Sequence, residues 1–457
     1  MKIQYSNIFI IFIIFSRIPS LHSIYCIPFI AFHLLHSIYC IYPFMAFDSS
    51  TAKTLHKVLH GLYSDMQRSY AACDLQQLEP TVRPIDHWRK LPLPADMADS
   101  GGAIQSNYFP EEIQRHILNE HATSITYRFT VSNHAASRAI VLHFVVFNKL
   151  EPDLKKMLAH ARRVCALLHL VSMHASRAKC SSTLNIFIYM TKFKKLFPAA
   201  MGETIDAEHA NTGLSYHCAR NNDLVVYRKE EWFKVLIHEL FHAFGLSFIE
   251  HDMPPGVDAA MQATLQKTYA ISHAVRVYET YCEIWGRVLN VCFACFSPSP
   301  SSSSDSMLGA LNPKLNAFIE CVMDGLHLDA QFALHQYAKI MRYMDIPCAV
   351  ICNPTRENRA IVAKKYREST NVFAYYVMTC ALLNSPDAFL VWCYKNNPTT
   401  AAKPRANVMQ FRTSVPSNFN GFMELLHHCK QRCPVPPEVD AAGRDDVLGS
   451  TMRMTSE

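Results

Sequence analysis

The sequence has no concentrated run of basic charge. Its 44 lysines and arginines stand against 38 aspartates and glutamates, which leaves a formal net charge of +6 on 457 residues. The two short basic clusters, Lys192-Phe193-Lys194-Lys195 and Arg162-Arg163, are of the size that an ordinary solvated surface carries. A nucleic-acid-binding protein normally presents a basic stripe or patch to the phosphate backbone. We therefore expect no nucleic-acid partner.

Paired cysteine knuckles flanked by turn residues are also missing, although the chain has 16 cysteines. Cys292 and Cys295 form a C-x2-C pair, but they lie in the apolar run 291–296 rather than in a turn. This usage favours free, buried thiols that act as small hydrophobic side chains, and it indicates a reducing compartment. The alternative is a structural zinc held by two C-x3-C pairs, Cys348, Cys352, Cys429 and Cys433.

The N-terminal region is apolar but contains no clear membrane span. The run Ile8–Phe15 has the length of a signal-peptide core and is too short for a spanning helix, which needs about 20 residues. Residues 24–47 are apolar enough to cross a bilayer, but prolines and histidines interrupt them. Three interpretations of residues 1–47 stay open: a membrane anchor, a cleaved signal, or translation that begins at Met45. The localisation is open in the same way, between cytoplasmic and membrane-associated.

The most informative feature that the sequence does have is the pentapeptide His238-Glu239-Leu240-Phe241-His242. Its surroundings, Trp232–Gly245, are almost free of other charges, so the pattern predicts a helix in the protein interior. Residues four apart share one face of a helix, and the two histidines can therefore aim their ring nitrogens at one ion. Glu239 then lies beside the ion, where its carboxylate can take a proton from a metal-activated water.

A buried helix has no ordinary reason to carry two histidines and a glutamate, because each is costly to desolvate without a partner. Zinc ligation is favoured for this reason over two ordinary core histidines. The segment resembles the zincin metallopeptidases, whose extended signature is met by Val235, Leu240-Phe241 and Phe244. The resemblance covers about fifteen residues and one downstream helix, so it concerns the site rather than the whole chain. It implies a hydrolase, a protease that cleaves peptide bonds with a zinc-activated water.

A catalytic zinc needs a third protein ligand and one open position. Glu279 and Glu283 lie one helical turn apart, among apolar residues that are spaced for a helix, and this arrangement resembles that of the gluzincins. The resemblance implies that Glu279 is the third ligand and that Glu283 orients a ligand histidine by a hydrogen bond. Gluzincins more often have aspartate at the second position, and the longer Glu283 could itself reach the metal.

The rival third ligand is His251. Gly245 matches the H-E-x-x-H-x-x-G beginning of the metzincins, in which a histidine or aspartate three residues further on completes the site. Phe248 occupies that position here and cannot bind a metal. For His251 or Asp252 to bind the metal, the turn after the helix would have to accommodate three additional residues. The geometry of that turn leaves little room for them.

The remaining pattern predicts an α+β fold. Residues 154–173 have helical spacing, and residues 211–217 could form an edge strand along which a substrate peptide adds as a further strand. The β-branched and aromatic content of three other segments predicts strands at 139–147, 184–190 and 224–227.

We expect a zincin-like half, with a small mixed sheet and the active-site helix, followed by a mainly helical lobe. A low-complexity serine and proline run separates the two parts and cannot bury enough surface to order itself. The expected divisions are an apolar N-terminal segment at 1–47, a metal-binding domain at 48–296, a low-complexity loop at 297–306, a helical lobe at 307–433 and a disordered tail at 434–457.

The sequence thus predicts a zinc metallopeptidase that acts on a peptide or protein substrate. Tyr216, His217 and Tyr278 are candidates to stabilise the oxyanion of a tetrahedral intermediate. The alternative is a non-enzymatic zinc-binding protein, structural or associated with a membrane or virion, whose protease site has decayed. Tyr227–Trp232 also resembles uncharacterised HExxH proteins of large DNA viruses. A hydrolase of substrates other than peptides is a third interpretation.

Overall fold

Residues rich in β-branched and aromatic side chains in the first half of the chain form one six-stranded mixed sheet. The expected segment at 1–47, and all but two residues of the expected loop at 297–306, lie outside the described part of the chain. The computed structural model describes residues 49–99, 108–133, 136–147, 152–298, 313–397, 407–436 and 450–455.

The sheet is parallel in its middle and antiparallel at its edges. Strands β3, β4 and β6 run parallel, whereas β1 and β2 continue the sheet antiparallel on one side and β5 closes it antiparallel on the other. The strand order is therefore β1-β2-β3-β4-β6-β5. The strands are β1 (Thr81–Ile85), β2 (Ala122–Ser132), β3 (Ser137–Phe147), β4 (Thr183–Tyr189), β5 (Gly213–Ser215) and β6 (Asn221–Val226).

Helices dominate the second half of the described chain, as expected for 307–433. Two short 3-10 turns, Trp88–Lys90 and Glu250–Asp252, and one π-helical turn, Phe373–Met378, accompany them. The helices are α1 (Ser49–Asp74), α2 (Ala95–Asp99), α3 (Glu111–Asn119), α4 (Leu154–His174), α5 (Ala207–Ala210), α6 (Trp232–Ala243), α7 (Val257–Thr268), α8 (Val277–Cys295), α9 (Pro313–Tyr343), α10 (Cys348–Ile351), α11 (Arg356–Lys365), α12 (Thr379–Leu383), α13 (Pro386–Asn396) and α14 (Ser417–Arg432).

Both faces of the sheet are covered, because the side chains of its central strands are apolar in both directions. Along β4, Ile186 and Ile188 enter the main core, whereas Phe187 and Tyr189 enter a smaller core on the opposite face. The smaller core includes residues of α3, such as Ile113. The observed mixture of helices and one mixed sheet is compatible with the expected α+β class.

The main core extends through both of the predicted parts of the chain. Leu236 of α6 and Trp285 of α8 belong to the same buried cluster as Leu382 of α12 and Phe422 of α14. Apart from residues 49–52, the described residues lie in one compact unit, Lys53–Glu457. No helix among the residues that the structure describes has both the length and the apolar character that crossing a membrane requires.

Local backbone geometry defines both ends of α6. Glu231 caps the helix in a left-handed conformation, with φ of 56°. At the other end Gly245 has φ of 62°, a region that glycine enters without steric cost. The Gly245 amide donates to the His242 carbonyl, and the Leu246 amide donates to the Phe241 carbonyl. This Schellman arrangement ends the helix at Ala243, with Phe244 as its C-cap residue.

Residues 450–455 lie against the beginning of α6, in contrast to the disordered tail expected at 434–457. The buried carboxylate of Glu231 accepts hydrogen bonds from the amides of Met454 and Thr455 and from the Thr455 hydroxyl. Its second oxygen pairs with the fully buried ammonium group of Lys195. A carboxylate with this many donors orders the segment in a way that composition does not reveal.

Four cysteines depart from the expectation of free thiols. Cys180 is bonded to Cys218, and Cys295 is bonded to Cys321, with Cα atoms 4.4 Å and 5.8 Å apart. Cysteine pairs so far apart in the sequence are brought together only by folding. The other described cysteines have free thiols, and most of them are buried.

The Glu231 ion pair predicts a large effect of removing one charge. Glu231→Gln leaves the Lys195 ammonium buried without a counter-charge, and we expect it to lower the free energy of unfolding by about 3–5 kcal/mol. Asp86→Asn is the control, because Asp86 and Lys90 form an exposed pair, and such pairs contribute little to stability. Denaturant unfolding at neutral pH measures both values. A loss for Glu231→Gln no larger than that of the control would contradict the role given to Glu231.

Candidate metal centre

Helix α6 is positioned by close packing on several sides. It contacts α8 and the strands β5 and β6, and its residues from Phe233 to Ala243 are buried. A β-carbon at Gly213 of β5 would lie 2.8 Å from the Val225 carbonyl oxygen and 3.2 Å from the Glu239 side chain. Only glycine therefore allows the edge strand to lie this close to the helix face that carries Glu239.

Three donor atoms from two helices converge at one point. Nε2 of His238 lies 3.3 Å from Nε2 of His242, as the four-residue spacing on α6 requires. Oε2 of Glu279, in the first turn of α8, lies 3.1 Å from the first nitrogen and 3.4 Å from the second. These side chains form a buried group that could hold a metal ion.

Glu283 lies behind this group and holds one of the histidines. Its Oε2 atom is 3.1 Å from Nδ1 of His238, and its Oε1 atom is 2.5 Å from Nζ of Lys234. An imidazole that donates from Nδ1 presents an unprotonated Nε2 to a metal. Glu283 therefore orients His238, and its pairing with Lys234 keeps its second oxygen away from the three donor atoms.

Cys282 has the corresponding position beside the second histidine. Its Sγ atom is 3.7 Å from Nδ1 of His242. Both histidines thus have a partner on α8 at Nδ1, which leaves Nε2 of each directed toward Glu279. Nothing in the sequence pattern distinguishes Cys282 from the other buried cysteines.

Glu239 lies beside the donor group and is held by the edge strand. The hydroxyl of Ser215, the last residue of β5, donates to Oε2 of Glu239 at 2.7 Å. Burial raises the pKa of Glu239, and the nearby histidines and the Ser215 hydrogen bond only partly oppose this effect. A carboxylate with a raised pKa is a better proton acceptor than an exposed one.

Tyr375 is a site residue that the sequence does not indicate. Its hydroxyl donates to Oε2 of Glu279 at 3.2 Å, and its ring lies 5.6 Å from the ring of His238. It belongs to the π-helical turn Phe373–Met378, and such turns often occur at functional sites. Burial and the charge of Glu279 raise the pKa of Tyr375 well above its usual value, so the phenol stays protonated.

The other candidate residues lie around the group without joining it. The rings of His217 and Tyr278 are 6.4 Å and 6.1 Å from the ring of His242. Tyr216 is half exposed and donates to Asp96 instead. His251 is exposed in the 3-10 turn after α6 and contributes no atom to the metal-binding group found among the described residues.

The four cysteines of the alternative structural zinc site do not assemble into a ligand set. Within the described ranges, the one group of three or more histidine, cysteine or carboxylate ligands is His238, His242 and Glu279. The thiol of Cys352 instead contacts the hydroxyl of Tyr337, 3.3 Å away. The paired spacing of these cysteines therefore does not correspond to a common metal site.

The buried carboxylates of the group require a compensating positive charge. Burial alone would lower the pKa of His238, but its contacts with Glu279 and Glu283 reverse the effect and raise its pKa to about 10. Burial likewise opposes protonation of His242, yet Cys282 and Glu279 raise its pKa well above the usual value. For both glutamates, burial raises the pKa and the neighbouring cations outweigh it, so both remain ionised. The raised pKa values of the two imidazoles and the Lys234 ammonium group beside Glu283 both follow from this buried negative charge.

This balance predicts proton release when a metal binds. Metal ligation needs neutral imidazoles, so Zn²⁺ should displace protons from the site near pH 7, and its affinity should rise with pH. Calorimetric titration in buffers of different ionisation enthalpy measures the number released. His242→Gln should abolish binding, whereas His251→Gln should bind like the unmodified protein. Loss of binding in His251→Gln alone would identify a different ligand set.

Comparisons with known proteins add no identification. No protein-family model, curated protein or solved structure matches the chain. The chemistry of the residues around His238, His242 and Glu279 is therefore the basis for assigning a function.

Proposed function

We propose that the protein is a gluzincin-like zinc metallopeptidase that hydrolyses peptide bonds. The observation that carries the proposal is the spacing of the three donor atoms, 3.1, 3.3 and 3.4 Å. Ligands bound to zinc at about 2.0–2.1 Å in a tetrahedron lie about 3.3 Å from one another. The three side chains therefore match three corners of a zinc site, and two imidazoles with one carboxylate are a donor set that catalytic zinc uses.

In the part of the chain that the structure describes, no fourth protein ligand joins His238, His242 and Glu279. A structural zinc site is closed by four protein ligands, whereas a catalytic one leaves a position open. Glu283 is the side chain nearest to closing the site, but its oxygens are engaged with His238 and Lys234. This arrangement favours catalysis over the alternative of a structural or decayed zinc site.

Glu239 is the proposed general base. A zinc ion bound by the three ligands would make a water molecule nucleophilic near neutral pH. Glu239 follows His238 in α6, and Ser215 holds its carboxylate in place. It would accept the proton of that water and pass it to the leaving amine. Because the pKa of Glu239 is raised, its carboxylate is better suited to accept the proton of the water and then to donate it to the leaving amine.

Tyr375 is the proposed donor to the developing oxyanion. Its hydroxyl already lies within hydrogen-bond distance of a proposed ligand oxygen, Oε2 of Glu279. Asn371 donates to the Tyr375 oxygen at 3.3 Å and thereby helps to fix its orientation. A preorganised, protonated phenol next to the reacting carbonyl stabilises negative charge in the transition state more than in the substrate.

The edge strand supports a peptide as the substrate class. Strand β5 pairs with β6 on one side and ends the described sheet on the other. An extended peptide can add to such an edge through backbone hydrogen bonds. Since Ser215 of β5 contacts Glu239, a peptide bound along this strand would pass next to the proposed base. The same arrangement of edge strand and helix supports the proposal that the first half of the chain has a zincin-like fold.

Replacing the base should separate metal binding from hydrolysis. Glu239→Gln keeps the size of the side chain and all three proposed ligands, so we expect bound zinc close to that of the unmodified protein. Peptide hydrolysis should fall by about 100- to 10,000-fold, because proton transfer is lost. Zinc content by elemental analysis and turnover of a fluorogenic peptide library measure the two effects.

The control for this experiment is Glu111→Gln, which changes an exposed carboxylate on α3. It should leave both zinc content and turnover unchanged. Undiminished turnover in Glu239→Gln would show that the proposed base is wrong.

Replacing the phenol tests the role of Tyr375. Tyr375→Phe should lower kcat by about 100-fold or more, with a small change in KM, because the lost hydrogen bond acts mainly in the transition state. Tyr376→Phe is a matched control from the same π-helical turn. The Tyr376 hydroxyl donates to the Met452 carbonyl instead, so its loss should reduce stability and leave kcat nearly unchanged. Equal kcat values for the two variants would argue against a catalytic role for Tyr375.

A further inference from the structure

A cavity of about 530 Å³ is lined by residues that come shortly before Glu279 and Tyr375 in the chain, such as Arg276 and Asn371. One wall is the segment that leads into α8, and the other is the segment between α11 and the π-helical turn. Its volume is within the range of ligand sites, about 300–1,000 Å³. The side chains that matter for its chemistry are His273, Arg276, Arg367, Glu368 and Asn371.

The cavity is connected directly to the residues of the site. Asn371 lines it and donates to the Tyr375 hydroxyl, which in turn donates to Glu279. On the opposite wall, the carbonyl of Arg276 accepts the backbone amide of Glu279. The cavity and the candidate metal ligands are thus linked through both Asn371 and Arg276, so a substrate that reaches the ligands can extend a neighbouring group toward the cavity.

The one carboxylate that lines the cavity is already engaged. Oε1 of Glu368 is 3.1 Å from Nε2 of His273. Its Oε2 atom accepts the hydroxyl of Tyr366 at 2.9 Å and the amide of Phe373 at 2.7 Å. These contacts occupy both oxygens of Glu368, so the carboxylate has little acceptor capacity left for a ligand.

The two guanidinium groups keep much of their donor capacity. Arg367 donates to the Lys364 carbonyl, and no carboxylate of the described residues lies within ion-pair distance of it. Arg276 donates to the Tyr108 hydroxyl and is 3.9 Å from Glu250, with both side chains of that pair about half exposed. Such a pair contributes little, and a guanidinium has five N–H groups in total. The cavity is therefore electropositive.

We propose that this cavity is a substrate subsite for a carboxylate group, recognised by Arg276 and Arg367. Guanidinium groups bind carboxylates by paired, charge-assisted hydrogen bonds, which make the interaction selective as well as strong. The carboxylate can belong to an acidic side chain next to the scissile bond or to the free C-terminus of the substrate. The inference rests on the proposed peptidase function, since it names the substrate class of that site.

Matched peptides test the preference with the full-length, zinc-loaded protein. One scaffold carries Glu, Gln or Lys on either side of the scissile bond, and each peptide is made with a free and an amidated C-terminus. We expect kcat/KM at least about tenfold higher for peptides with a suitably placed carboxylate than for their amide counterparts, the gain of a charge-assisted hydrogen bond. A gain from Glu in amidated peptides identifies a side-chain subsite, and a gain only from the free terminus identifies a terminal one.

The arginine variants connect the preference to the cavity. In Arg276→Gln, Arg367→Gln and the double variant, the ratio of kcat/KM for carboxylate and amide peptides should fall toward one. Arg115→Gln on α3 changes an exposed arginine that does not line the cavity, and it should keep the ratio. An unchanged ratio in the double variant would overturn the assignment of Arg276 and Arg367.

Binding to the Glu239→Gln variant gives a readout that does not need hydrolysis. Calorimetry should show tighter binding of the carboxylate peptide than of the amide peptide to the zinc-loaded variant, again by about tenfold. Carboxylate-selective binding without hydrolysis by the unmodified protein would refute the peptidase proposal and support the subsite. Hydrolysis with no carboxylate preference, or equal binding of the two peptides, would refute the subsite and leave the peptidase proposal standing.

Discussion

Burial of negative charge around two imidazoles is the constraint on which this structure depends. Glu279 and Glu283 are buried within hydrogen-bond distance of His238, and Glu239 is buried with its carboxylate held by Ser215. Such charges cannot leave water unless cations and hydrogen-bond donors replace the lost hydration. The raised pKa values of His238 and His242 and the ammonium group of Lys234 reflect this requirement, and a divalent cation would meet it with the same ligands.

The positive charges that balance the centre extend away from it through the core. Lys234 pairs with Glu283, and the neighbouring Glu231 pairs with Lys195 and binds the backbone of residues 450–455. The beginning of α6 is thus held by ion pairs and its end by the turn at Gly245. A helix fixed at both ends keeps its histidines within the narrow range of positions that metal binding needs.

The side of the centre away from Lys234 and Glu231 has a different composition. Strand β5 ends the described sheet on this side, Tyr375 offers a hydrogen-bond donor, and the cavity between Arg276 and Arg367 offers space. The candidate ligands and the charges that balance them therefore lie on one side of His238 and His242. The groups able to contact a substrate lie on the other side. This division is expected of a preorganised catalytic site, in which supporting interactions hold the reactive groups in place before substrate binds.

The local sequence determined the helix that carries His238, Glu239 and His242, because a four-residue spacing on an apolar helix has one geometric outcome. It also indicated the strands at 139–147, 184–190 and 224–227, whose composition is strongly β-forming. Only the tertiary structure decided that Glu279 meets the histidines, that Lys234 restrains Glu283 and that Tyr375 enters the site. The same holds for the buried residues 450–455 and the two disulfides. The reason is physical: these contacts join residues far apart in the chain, and packing of whole elements, not local periodicity, sets their distances.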